Sequence, residues 1–98
     1  MIVQKEKFFF LEYEQILLNK CLNESNEYLT LCIKQGVLPE FFFRPEHQIL
    51  FQIFLKFFYK NIYLDFTNLI FELREKNLLD VVGGVKYIDY LKNITTSL

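Results

Sequence analysis

Alanine and tryptophan are missing from the sequence altogether, and glycine, proline, cysteine and histidine are scarce, at three, two, two and one residues. Each scarcity removes a class of function. The glycines Gly36, Gly83 and Gly84 cannot furnish G-x-x-x-x-G-K-[ST], so the chain has no P-loop and is not expected to hydrolyse nucleotide by itself. Cys21, Cys32 and His47 fall short of the four closely spaced ligands of a structural zinc site, so no metal is expected. A nucleophile and base would require a cysteine to meet His47, yet both cysteines lie on apolar helix faces that disfavour the thiolate. With ample core available, they read as buried thiols of a reducing compartment rather than as a disulfide. His47 reads as a structural or helix-capping residue.

Long apolar runs are also missing. No segment approaches the roughly 20 residues of a membrane span, and Lys5 and Lys7 precede only Phe8 to Leu11 before Glu12 interrupts, too short for a secretory signal. Charge of one sign is missing too: the formal net charge is -1, and Lys56, Lys60, Lys86 and Lys92 are scattered. Polyanion binding needs lysines and arginines concentrated on one face, so neither direct nucleic-acid contact nor a membrane partner is expected.

What is present is core material. The chain is 52% hydrophobic with 12 Phe and 6 Tyr, enough to exclude disorder, and 98 residues suit one domain. Abundant Phe, Ile, Asn, Lys and Tyr without Ala fits an AT-rich genome, which suggests a bacterial cytoplasm or a plastid stroma.

Residues 1–10 read as an N-terminal extension and 11–98 as the domain. Leu11, Ile16, Leu17, Leu18, Cys21 and Leu22 recur at helical spacing, with Glu12, Glu14 and Gln15 as first-turn acidic and polar residues. Asn23 to Asn26 read as a break, with Ser25 or Asn26 capping a second helix that buries Leu29, Cys32 and Ile33 and stops at Gly36. Phe41 to Phe43 form an aromatic knot over neighbouring helix ends. Pro45 suits the first position of a third helix running to about Lys60. Leu50, Phe51, Phe54, Phe57 and Phe58 form its broad core face. Opposite them Gln48, Gln52 and Lys56 make a polar row so crowded by Ile49, Ile53, Leu55 and Tyr59 that these four are the candidate protein interface.

Asp65 is a natural N-cap for a fourth helix with Phe66, Leu69, Ile70 and Leu73 inward and Glu72, Arg74, Glu75 and Lys76 solvated. Gly83 and Gly84 mark a tight turn and close packing before a fifth helix outlined by Val85, Ile88 and Leu91. In the tail, Thr95 or Thr96 could cap a further helix. The fold class is all-α, a small orthogonal bundle of about five helices.

In order and spacing these segments resemble the N-terminal domain of DnaB-type replicative DNA helicases, over about Leu11 to Ser97. The family's E-x-E-Q run appears as Glu12, Glu14 and Gln15. Its F-[FY]-x-P-x-H stretch with a following apolar pair is similar to Phe42, Phe43, Pro45, His47, Leu50 and Phe51. P-I-D-x-x-T-L corresponds to Leu64, Asp65, Asn68 and Leu69. G-x-L-x-x-V-G-G-x-x-Y-[IL]-x-x-L corresponds to Leu79, Val82, Gly83, Gly84, Tyr87, Ile88 and Leu91, ending in N-x-[TP] at Asn93 to Thr95. The chain departs from the family at Phe10, Gln48, Asn61 and Tyr63, all near turns.

The resemblance implies a non-catalytic collar. Such a domain packs against copies of itself as a dimer or hexamer and helps receive primase or a helicase loader. The family's helical hairpin, linker and ATPase domain would lie beyond Leu98, and ATP and magnesium would belong only to that ATPase domain. The competing implication is a free-standing helical protein that regulates or blocks helicase assembly.

Overall fold

The computed structural model describes residues 2–95, with side chains from Leu11 onward except Ser25. All regular structure in these residues is helical: α1 (Ile2–Lys34), a 3-10 turn (Pro39–Phe41), α2 (Pro45–Tyr59), α3 (Phe66–Glu75) and α4 (Gly84–Asn93). The all-α fold is the expected one, but its five helical segments are divided differently. The two helices expected before Gly36 are one, and the fifth segment is the 3-10 turn. The suggested cap at Thr96 lies outside the described residues.

The backbone of α1 is helical from Ile2, across the supposed extension, and stays helical through Asn23 to Asn26. Its axis nevertheless bends sharply. Val37, three residues past the helix, lines one cleft with Tyr13, Glu14 and Leu17. On a straight helix residue 34 would stand about 30 Å from residue 14, and three extended residues recover only about 10 Å. The polar segment supplies the cause: Asn23 donates to the Asn19 carbonyl at 3.0 Å and Thr30 to the Asn26 carbonyl at 2.6 Å. Side chains that bond a carbonyl four residues back loosen the ladder and bend the helix. Asn and Ser are poor helix interiors, as the expected break supposed, yet buried Leu29 and Cys32 hold the second arm to the core.

Four chain reversals share one device. Val37 N–H bonds to Cys32 and Gly36 N–H to Ile33; Ile62 to Phe57 and Asn61 to Phe58; Leu78 to Leu73 and Asn77 to Arg74; Gly84 to Leu79 and Gly83 to Asp80. Each pair is a Schellman closure, which needs a left-handed residue. Gly36 (φ 78°), Asn61 (58°), Asn77 (58°) and Gly83 (109°) occupy that position.

These reversals set the other helices around α2. Phe51, Phe54 and Phe57 are essentially inaccessible, and each contributes about 2 to 3 kcal/mol by leaving water. They pack with Leu18, Leu29, Leu50, Leu69, Leu73, Val82, Ile88 and Leu91 in one core. Pro45 opens α2 at its first helical position, and the Asp65 carboxylate accepts from Asn68 N–H at 2.8 Å to cap α3.

Candidate functional site

The polar heart of the domain is a chain of hydrogen bonds running from α1 through α2 to α4. Glu14 and His47 are both buried. The Glu14 carboxylate accepts from the backbone N–H groups of Phe43 and Arg44, just before α2, and lies 2.7 Å from His47 Nδ1. A helix N-terminus favours a carboxylate there, because its leading N–H groups lack partners. The other ring nitrogen, Nε2, lies 2.7 Å from the Tyr87 hydroxyl, which receives Gln15 Nε2 at 3.1 Å.

A carboxylate only accepts, so Nδ1 carries a proton toward Glu14; Nε2 shares the second bond with the Tyr87 hydroxyl, whose oxygen accepts from Gln15. Burial pushes the Tyr87 phenol above its ordinary range, outweighing the Gln15 hydrogen bond. The His47 and Tyr87 rings lie within 6° of parallel, with centroids 5.9 Å apart. Phe42 closes the site with its ring 6.4 Å from His47 and nearly perpendicular to it. His47 is fully buried behind this ring, and its two ring nitrogens tie α2 to α1 and α4.

Gly83 and Gly84 deliver Tyr87. A Cβ on Gly83 would stand 2.9 Å from Tyr87 Cβ, so the glycine serves both the left-handed turn and this approach. Gly84 is also left-handed, at 81°, with open space around it.

Further along α1, Asn19 Nδ2 donates to the carbonyls of Leu91, Lys92 and Ile94, at 2.7, 3.1 and 3.3 Å. Asn23 adds a 2.9 Å bond to Lys92. One polar row on the long helix thus caps the start of α2 and the end of α4, which is why Glu14 and Gln15 are not first-turn surface residues. Their partners are 29 to 72 residues away, so helical spacing alone cannot show them. The available signal was Asn19, a lone amide amid Leu17, Leu18, Cys21 and Leu22, together with the four-residue step from Gly83 to Tyr87.

The expected interface is not assembled as a surface. Ile53 is buried in the domain's own core, Ile49 and Leu55 pack half-buried against it, and of the four only Tyr59 is exposed, at 67%. Two members of the polar row pair with neighbouring segments, Gln48 donating to the Phe42 carbonyl at 2.8 Å and Lys56 meeting Glu72 at 2.6 Å, while Gln52 is exposed. Glu72 is therefore not part of a freely solvated face; the Lys56 hydrogen bond holds its carboxyl below the usual range against opposing desolvation. An almost wholly apolar helix is here the central, wrapped helix.

Exposed apolar residues include Leu31, Phe71, Val81, Val85 and Tyr90 and two groups at the ends of α2. Before it stand Leu38, Phe41 and Phe43, with Tyr13 beside Phe41 around an open cleft of about 240 Å³. Of the aromatic knot only Phe42 is buried. After α2 come Tyr59, Ile62 and Tyr63, the last two beside a second cleft shared with Asn26, Thr30 and Phe57. Among the described residues no group of three or more His, Cys, Asp or Glu could hold a metal ion, and no helix is long and apolar enough to cross a membrane.

No curated protein and no solved structure matches the chain. The family model described as DnaB-like helicase N terminal domain matches residues 6–98. That span takes in α1 from residue 6 and every later element, including the Glu14–His47–Tyr87 chain and the glycine turn that feeds it. The chain belongs to the DnaB-like helicase N-terminal domain family.

Proposed function

We propose that this domain is the non-catalytic collar of a replicative DNA helicase, contributing to hexamer assembly and to docking of primase or a helicase loader during DNA replication. The reading places it inside the cell, asks for no cofactor on this chain, and leaves ATP and magnesium to the family's ATPase domain. Two separate exposed aromatic clusters, one at each end of α2, carry it. A closed ring of identical copies needs at least two contact surfaces per copy. The clusters flank a 15-residue helix, which separates them by about 21 Å, so one copy can engage two neighbours at once. Aromatic residues of this kind supply most of the binding energy at subunit contacts.

Light scattering over a concentration series tests the reading. The expected result is a mass above the monomer that rises with concentration. Phe41→Ser and Tyr63→Ser should each stop assembly at a smaller species, and the double variant should be monomeric. A wild-type chain that stays strictly monomeric at the highest concentration refutes it. Docking is then read from co-elution of purified primase or loader with the assembled form.

A further inference from the structure

His47 is the single histidine of the chain and is fully buried, yet each of its ring nitrogens meets a group that suits either charge of the ring. On the α1 side the Glu14 carboxylate, 2.7 Å from Nδ1, accepts in both cases. On the α4 side Nε2 lies 2.7 Å from the Tyr87 hydroxyl, which can donate or accept. Of the nearby charges, Arg44 and Glu46 act on Tyr87 with opposite signs and stand 3.7 Å from each other. Tyr90 stacks on Tyr87 with centroids 6.1 Å apart, and the Phe42 ring stands nearly perpendicular to the imidazole. Tyr87 has one proton to give. While Nε2 is bare, that proton goes to Nε2, and the hydroxyl oxygen receives the Gln15 amide N–H at 3.1 Å. Once Nε2 holds its own proton, it donates to the Tyr87 oxygen, and the hydroxyl proton needs another acceptor. The half-buried Gln15 amide already reaches that oxygen, and a half turn about its last bond puts its carbonyl where its N–H stood.

We infer that Gln15, Tyr87 and His47 form a proton-linked switch, in which protonation of His47 reverses the hydrogen bonds that join α2 to α4 and α4 to α1 without breaking either. The proton comes from water and rests on Nε2. Tyr87 then donates to the turned Gln15 carbonyl, and the imidazolium faces the Glu14 carboxylate as a buried ion pair. The three helices stay tied at both charges, so the domain keeps its fold while a buried histidine titrates. Gln15 is the positioning residue that makes this possible. Without an acceptor there, the charged form leaves the Tyr87 hydroxyl proton without a partner, and an orphaned donor costs more than an unused oxygen lone pair.

Because the chain has one histidine, nitrogen-15 NMR of the intact, histidine-labelled chain reads His47 alone. As pH falls, the Nε2 signal should pass from a bare to a protonated nitrogen while the backbone amide spectrum keeps its folded dispersion. In the same titration, exchange of the Gln15 side-chain amide protons with water should speed up relative to those of exposed Gln52, because the turn releases them from Tyr87. Gln15→Met, neutral and of similar length, should move the His47 midpoint down by about one pH unit, a tenfold weaker hold on the proton. A residue that merely donated to Tyr87 would have the opposite sign, since its loss would free the oxygen for Nε2–H. An unchanged or raised midpoint in Gln15→Met overturns the proposal. So does a wild-type chain in which His47 gains its proton only as the folded spectrum disappears, or in which the Gln15 amide exchange does not follow the His47 midpoint. The last two readouts use the wild type and decide the matter even if the variant does not fold.

Discussion

Replacing Glu14 by glutamine keeps the side chain's shape and removes its charge, and the structure says what that costs. The carboxylate is 8% exposed and accepts from His47 Nδ1–H and from the Phe43 and Arg44 N–H groups. A glutamine offers one oxygen where the site needs two, and whichever way its amide turns, an N–H faces another N–H. A hydrogen bond to a charged acceptor contributes about 1.5 to 3 kcal/mol, and a buried donor left without a partner costs about 1 to 3. Adding the lost N-terminal charge, the expected destabilisation is about 3 kcal/mol, a large fraction of the stability of a domain this size. The thermal midpoint should fall by about 15 °C. Urea unfolding followed by far-ultraviolet circular dichroism measures it as a lower midpoint at unchanged slope. A second measurement isolates the pair: in the Glu14→Gln background, His47→Asn should cost at least about 1 kcal/mol less than in the wild type. If Glu14→Gln changed stability by less than about 0.5 kcal/mol, as an ordinary surface substitution does, the carboxylate could not be the buried acceptor described, and the reasoning would fail.

The two adjacent glycines should separate. Gly83→Ala combines left-handed strain with the close approach to Tyr87 and should cost about 3 kcal/mol; Gly84→Ala carries strain alone and should cost about 1, and equal losses in urea melts would contradict the packing role. Replacing Asn61 or Asn77 by glycine relieves a left-handed side chain at a helix end and should raise stability by up to about 1 kcal/mol, seen as a higher urea midpoint. The Lys56–Glu72 pair predicts a pH dependence. Because Glu72 has a lowered folded pKa, its contribution is present above the ordinary carboxylate range and is lost as pH falls through that lowered value. Lys56, raised chiefly by its hydrogen bond with Glu72, loses its contribution as pH rises through its own raised value. Glu72→Gln should therefore flatten the acid side of a stability profile; an unchanged acid limb would show that the pair is not coupled to folding.

Much of the fold was legible because local rules and tertiary structure agreed. Pro45 opens α2, the Asp65 side chain caps α3, and Leu69 and Leu73 of its apolar stripe are buried, all from signals within a few residues. At Asn23 to Asn26 they diverged: weak helix formers pointed to a loop, while burial of Leu29 and Cys32 kept the backbone helical and left only a bend. The four residues expected at an interface differ in exposure for a related reason. Ile53 lies across the helix from Phe51 on a helical wheel, yet neighbouring segments cover it and leave Tyr59 exposed. The Glu14 and Asn19 bonds stayed hidden because one sequence shows which residues are polar, not what they reach.

The row Glu14, Gln15, Asn19 and Asn23 joins α1 to α2 and α4, and this has a consequence in time. During synthesis Gln15 and Asn19 emerge 72 residues before their partners on α4. Until Tyr87 arrives, His47 lacks its partner at Nε2. Until Leu91 arrives, Asn19 lacks the carbonyls it caps. The growing chain can therefore hold helices early without holding its fold, since contacts spanning most of the sequence close late. A chain ended before Gly83 should show helical circular dichroism with unprotected amides in hydrogen exchange, and a fully protected core in it would contradict this order of events. α4 thus acts as the latch that closes α1 and α2 into one fold.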